Sequence, residues 1–195
     1  MRKITHNYCD PLDTIWLHAA SKMGMRVVRD DQVFASWDGA GTLTVGTPET
    51  LDPDDSLAQM ILHETCHALV EGPDAFCKPD WGLDITDRSQ LVHEHACLRL
   101  QAAISQPYGL REFFASTTNA RAYYDSLPAD PMDSPGDEAV RLANPGLDRA
   151  LNGDWSGVLR DAMIQTSRIA DVVRAIAAPT SLWSRTSTAS ARPQP

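Results

Sequence analysis

Met60-Ile61-Leu62-His63-Glu64-Thr65-Cys66-His67-Ala68-Leu69 carries two imidazoles four residues apart, with a carboxylate beside the first. On an α-helix, positions i and i+4 share a face, so His63 and His67 can each direct a nitrogen at one cation. Glu64 is rotated by about 100° around the same helix. Its carboxylate then stands beside the ion rather than on it, where it can take a proton from water that the ion activates. The spacing therefore predicts a zinc site with hydrolytic chemistry, one Zn2+ per chain, with Glu64 as general base. A plain amphipathic surface helix would also contain two histidines, but the neighbours argue against it. Thr65, Cys66 and Ala68 are uncharged, Leu69 is apolar, Ser56 with Gln59 reads as an N-terminal capping box, and Gly72-Pro73 stops the helix.

A second cluster follows in Leu91-Val92-His93-Glu94-His95-Ala96-Cys97-Leu98-Arg99-Leu100. Asp87 and Gln90 are expected to cap this helix, and Pro107 to end it. Four of the six histidines lie in the two helices, a concentration that favours a metal site. A catalytic zinc takes three protein ligands and keeps one position open. Glu94, 27 residues beyond His67, is the first choice for the third ligand. His93 and His95 are its rivals, and because they flank it at most one can share its direction.

Around these helices the chain reads as α+β. Residues 11–23 have helical periodicity, with Asp10 as cap. Three short β-prone runs, 25–29, 33–37 and 42–46, are separated by Asp30-Asp31 and Asp38-Gly39-Ala40-Gly41, which predicts a meander of two hairpins. An exposed edge of such a sheet beside the metal helix could pair with an extended peptide. The loop 74–87 is rich in breakers and is placed to fold back over the site, where Asp80 or Asp84 could accept a hydrogen bond from a ligand histidine. Residues 110–126 read as a helix with aromatic anchors. From it Tyr123, Tyr124 or Arg121 could stabilise an oxyanion, as could His93 or His95; aromatic core is the plainer role for either tyrosine. A turn-rich linker (126–136), a short helix (137–143) and a long amphipathic helix (155–178) follow. Val158, Ala162, Ile169, Val173 and Ile176 form the apolar side of the last. One catalytic domain is expected over 1–178 (β-rich 25–46, metal helices 56–106, helical 110–178) and a disordered tail over 179–195.

Composition sets the outer limits. The chain has 195 residues, 43% hydrophobic and 22% charged, as an ordinary globular domain does. A net charge of −9 argues against a nucleic-acid partner. No apolar run approaches a membrane span and no secretory leader is legible, so a cytoplasmic protein with no membrane partner is expected. Cys9, Cys66, Cys77 and Cys97 are too few and too irregular for a disulfide scaffold or a thiolate zinc ribbon, so buried thiols are the default.

His63-Glu64-x-x-His67 followed by Glu94 on a second helix resembles the glutamate-ligand zincins (gluzincins), and within them is most similar to the small ImmA/IrrE-like peptidases. The likeness covers about residues 25–106 and rests on a short motif with its spacing. It implies a minimal zincin-like fold, a small antiparallel or mixed sheet beside the metal helix with a helical C-terminal part, and hydrolysis of peptide bonds in a protein or peptide substrate. The chain departs from the larger gluzincins at Leu98, where many place a carboxylate four residues after the glutamate. Two rivals stand beside this expectation: a catalytically silent zincin-like scaffold or binding protein, and a zinc-dependent amidase acting on a small molecule.

Overall fold

The computed structural model describes residues 3, 5–84, 87–117 and 120–188, and only the backbone of Arg88. Helix α1 (Pro11–Lys22) begins at Asp10, whose carboxylate accepts from the amides of Leu12 and Asp13. Gly24, at φ +85°, turns the chain into the sheet.

Strands β1 (Arg26–Asp30), β2 (Ala35–Trp37) and β3 (Thr42–Gly46) lie in the order β1-β3-β2. The sheet is mixed, and the two-hairpin meander is not formed. β3 pairs antiparallel with β2, Ala35 opposite Val45, but parallel with β1, Val27 opposite Leu43. The reason is burial. β3 brings the fully buried Leu43 and Val45 and takes the centre, whereas the residues of β1 are exposed or half-buried and suit an edge. The β2–β3 hairpin does form as read, with Asp38 Oδ1 accepting from the amides of Ala40 (2.6 Å) and Thr42 (2.8 Å) across the turn.

Helix α2 (Leu57–Glu71) carries the first motif and is buried along its length, all but His63 and Glu71. A helix buried all round belongs to the interior, and this one is packed by α1, the sheet and the later helices over 91–105 and 138–152. Ser56 Oγ accepts from Gln59 N (3.2 Å), as the sequence implies. The far end is closed from outside by Arg149, whose guanidinium donates to the carbonyls of Leu69 and Val70. A cation there also favours the helix dipole.

Helix α3 (Leu91–Ser105) is preceded by a 3-10 turn, Arg88–Gln90, and Asp87 caps that turn through Ser89 N rather than the helix itself. Helix α4 is far shorter than the expected 110–126, covering only Arg121–Asp125. Phe113 and Phe114 are buried from a turn instead. Arg111 ties this turn to the following segment by donating to the carbonyls of Leu127 and Pro128, and its own carbonyl accepts from Tyr124 Oη. Helix α5 (Glu138–Asn152) runs past Ala143 and through Pro145. Its cap is Asp137, which accepts from Ala139 N (2.9 Å) and pairs with the buried Arg99 (2.6 Å). Gly146 lets α5 approach α2 and α3, since a Cβ there would lie 3.0 Å from Leu100 and 3.2 Å from the Leu69 carbonyl oxygen.

Helix α6 (Ser156–Val173) is shorter than expected, and its buried face is Leu159, Ala162, Met163, Thr166, Ser167 and Ala170. Ile176, assigned to that face by periodicity, is 83% exposed, because the helix has already ended. Two polar residues belong to the face: Thr166 Oγ1 accepts from Trp16 Nε1 (3.0 Å) and Ser167 donates to the Tyr108 carbonyl (3.0 Å).

The stretch from Pro179, expected to be disordered, is anchored over its described part. A 3-10 turn, Leu182–Arg185, stacks Trp183 on Phe113 with ring centroids 4.5 Å apart, and Ser187 N donates to the Gly109 carbonyl (2.9 Å). Residues 189–195 of that expectation lie outside the described residues. All four cysteines are free; Cys66 and Cys97 are buried, whereas Cys9 and Cys77 are exposed rather than buried as the default had it. No described helix is long and apolar enough to cross a membrane.

Candidate metal centre

α2 and α3 lie side by side and bring the two motifs together. His63 Nε2 and His67 Nε2 are 3.2 Å apart, His67 Nε2 is 3.2 Å from Glu94 Oε2, and His63 Nε2 is 3.7 Å from Glu94 Oε1. Three donors at bonds of about 2.0–2.1 Å to a tetrahedral ion stand about 3.3 Å from one another. The observed triangle is close to that size, so the donor set fits a single metal ion. The electrostatics agree. Burial disfavours the charged forms of His67 and Glu94, yet Glu94 raises the pKa of His67, while the two imidazoles bring that of Glu94 down to about 2.

A second grouping overlaps the first. One donor atom each from His63, His67 and Cys97 lies within 4.8 Å of the others, and such a group can hold a metal ion. Cys97 Sγ, however, stands 3.6 Å from His63 Nδ1, on the opposite side of the ring from Nε2. Burial, reinforced by the Cys66 thiol, pushes its pKa well up, which favours the thiol over the thiolate that ligation needs. Glu94 meets the imidazole pair on the Nε2 side and Cys97 does not.

Glu64 is buried, and its Oε2 accepts from Trp81 Nε1 at 2.8 Å. The loop after α2 does fold back, and Trp81 is the residue that it delivers. Trp81 stacks on Trp37 of β2 (centroids 4.6 Å apart, planes 4° apart), and Asp80 and Trp81 both hold left-handed backbone, at φ 46° and 59°. Non-glycine residues seldom adopt that conformation without being held there. Here the indole stack and Asp80 hold it. Asp80 Oδ1 accepts from Ser36 Oγ and Trp37 N, both at 3.0 Å, so its partners are on β2 rather than a ligand histidine. Asp84, the other carboxylate considered for that role, donates its amide to Gln90 Oε1 (2.7 Å) and lines the cavity.

That cavity has a volume of about 580 Å³ and is lined by Glu64, His67 and Glu94 on one side, Trp81 and Leu83 on another, and Ala35 of β2. The Phe34 carbonyl and Asp38 amide bond to β3, so Ala35 and Trp37 turn their backbone polar groups away from it. Trp37 N is taken by Asp80, whereas Ala35 is at the cavity wall.

The residues considered for oxyanion stabilisation are placed elsewhere. His93 Nδ1 pairs with Glu71 Oε1 (2.7 Å) at the end of α2. His95 stacks on Tyr123 (centroids 3.6 Å apart), and burial together with Arg99 lowers its pKa. Tyr123 Oη accepts from Arg99 Nε (2.7 Å), Tyr124 Oη donates to the Arg111 carbonyl (2.9 Å), and Arg121 pairs with Asp125 (2.8 Å). None of these five lines the cavity. Sequence reasoning missed Trp81, and also Gln101, whose Oε1 lies 3.1 Å from His63 Nδ1. A signal for Gln101 was present: it is seven residues after Glu94, two helical turns along the same face. No family model, no curated protein and no solved structure matches this chain.

Proposed function

We propose that the protein is a zinc-dependent hydrolase, most simply a metallopeptidase, with His63, His67 and Glu94 as the metal ligands and Glu64 as general base. The observation that carries this reading is the triangle of donors 3.2, 3.2 and 3.7 Å apart, with a buried carboxylate beside it in an open cavity. Zinc bound there would supply the Lewis acidity that activates water and polarises a carbonyl. Trp81 holds one oxygen of Glu64 and leaves the other to accept a proton, which Glu64 then delivers to the leaving amine. Ala35 on the edge of β2 offers backbone groups to an extended peptide, and the Asp80 carboxylate ends that edge at Trp37. The gluzincin likeness, with its zincin-like fold, belongs to this proposal. Free thiols throughout suit a reducing compartment such as the cytoplasm.

One observation favours a second reading. With Cys97 drawn in beside His63, His67 and Glu94, the site would have the four protein ligands of a structural zinc, and the protein would be a scaffold or binding module. Exposing zinc-loaded wild type and Glu64→Gln to a mixed library of fluorogenic peptides separates the two. The peptidase reading expects cleavage by wild type and a loss of about 10²–10⁴-fold in Glu64→Gln at unchanged zinc content. Zinc-loaded wild type that leaves the library intact speaks for the scaffold, or for an amidase with a small substrate.

A further inference from the structure

The two imidazoles of the centre are supported differently, and the difference runs back to a backbone carbonyl. Gln101 is buried on α3, its Nε2 donating to the Phe114 carbonyl and its Oε1 3.1 Å from His63 Nδ1. A side-chain amide can be turned either way, but a backbone carbonyl only accepts. The NH2 group must therefore face Phe114, which leaves the amide oxygen facing His63. That oxygen too only accepts, so His63 Nδ1 must carry the hydrogen and Nε2 the lone pair. Nε2 is the atom that meets His67 Nε2 at 3.2 Å and Glu94 Oε1 at 3.7 Å. Cys97 does not disturb this order. With its proton on the His63 carbonyl oxygen (3.4 Å), its sulfur presents lone pairs to Nδ1, 3.6 Å away. By contrast, His67 Nδ1 is buried with no hydrogen-bond partner among the described residues.

We infer that Gln101 is a positioning residue of the metal centre: anchored by the Phe114 carbonyl, it fixes His63 as the Nδ1–H tautomer and so aims a ready lone pair at the ion, a service that His67 lacks. The inference rests on the metal-site reading and extends it to a residue outside the ligand set. A neutral amide in this place orients the ring without adding negative charge behind it. Outer partners of ligand histidines typically contribute 10–100-fold to metal affinity.

Long-range 1H–15N NMR on metal-stripped protein at alkaline pH reads the tautomer directly, without any variant. The expected result is His63 as Nδ1–H; a dominant Nε2–H form overturns the inference. Zn2+ affinity is then measured by competition with a chromophoric chelator. Gln101→Met, which fills the space and cannot accept, is expected to weaken Zn2+ binding about 10–100-fold and to release the His63 tautomer preference. Gln101→Glu, which keeps an acceptor for Nδ1 but loses the donor to the Phe114 carbonyl, is expected to keep His63 as Nδ1–H and to bind Zn2+ more tightly than Gln101→Met. A folded Gln101→Met that binds Zn2+ like wild type and keeps Nδ1–H shows Gln101 to be packing alone. If Gln101→Met does not fold, the wild-type tautomer and Gln101→Glu decide. Wild type that binds Zn2+ with His63 as Nε2–H sinks this inference and spares the metal site. Folded wild type that takes up no Zn2+ sinks the metal site, and the role of Gln101 with it.

Discussion

His67 and Glu94 pair with each other at 3.2 Å, and that pairing sets how the cluster responds to pH. Glu94 raises the pKa of His67 above its ordinary 6.5, and the imidazoles lower that of Glu94 from 4.5 to about 2. A raised histidine stabilises the fold below pH 6.5, and that contribution is lost as pH rises through the folded value. A lowered glutamate stabilises it above pH 4.5, and that contribution is lost as pH falls through about 2. The pair therefore helps the fold most between pH 4.5 and 6.5. On the proposed reading zinc would have to displace the His67 proton, so its affinity is expected to climb from pH 6 into the alkaline range. Calorimetric titrations across that range would check this, and an affinity flat with pH would show that His67 is not a ligand. The shared face of His63 and His67 was legible because four-residue spacing on a helix is a local property of the sequence, whereas the approach of Glu94 depends on how α2 and α3 pack. Trp81 was not legible. Its bond to Glu64 depends on two left-handed residues, held by a stack on Trp37 and by a carboxylate on β2, and no local pattern announces such a contact.

At the scale of elements, α2 is packed by α1, the sheet, α3 and α5, and its contact with α5 leaves little room at Gly146. A side chain at Gly146 meets Leu100 at 3.0 Å and the Leu69 carbonyl oxygen at 3.2 Å. Gly146→Val is therefore expected to lower stability by about 1–3 kcal/mol in urea unfolding, although valine is a better helix former than glycine. An unchanged midpoint would mean that α5 does not pack this closely. Helices α1 and α2 could be read because caps and periodicity agreed, and α3 from its pattern alone, since Asp87 caps the turn before it. α5 runs beyond the expected 137–143 and through Pro145, because its packing overrides the local penalty of a proline inside a helix. The sheet was misread for a related reason. Turn chemistry predicts which strands follow one another, but the burial of Leu43 and Val45 decides which strand lies in the middle.

The described part of the molecule is closed at its C-terminal side by a segment whose composition promised nothing. Ser, Thr and Pro enrichment favours disorder on average, yet one tryptophan, Trp183, has a buried ring to stack on at Phe113. Deleting 179–195 is expected to cost about 2 kcal/mol, a fall of about 4–8 °C in Tm by calorimetry. A truncated chain that melts with the full one would show that the anchor carries no weight.

The claim on which the rest depends is that α2 and α3 build one zinc site from His63, His67 and Glu94. Metal per chain, determined by elemental analysis of protein purified without chelator, tests it most directly, with His63→Ala and Glu94→Gln alongside. The account predicts about one zinc per wild-type chain, its loss in His63→Ala and weakened retention in Glu94→Gln. Folded wild type that carries no metal and cannot be loaded with zinc would contradict it.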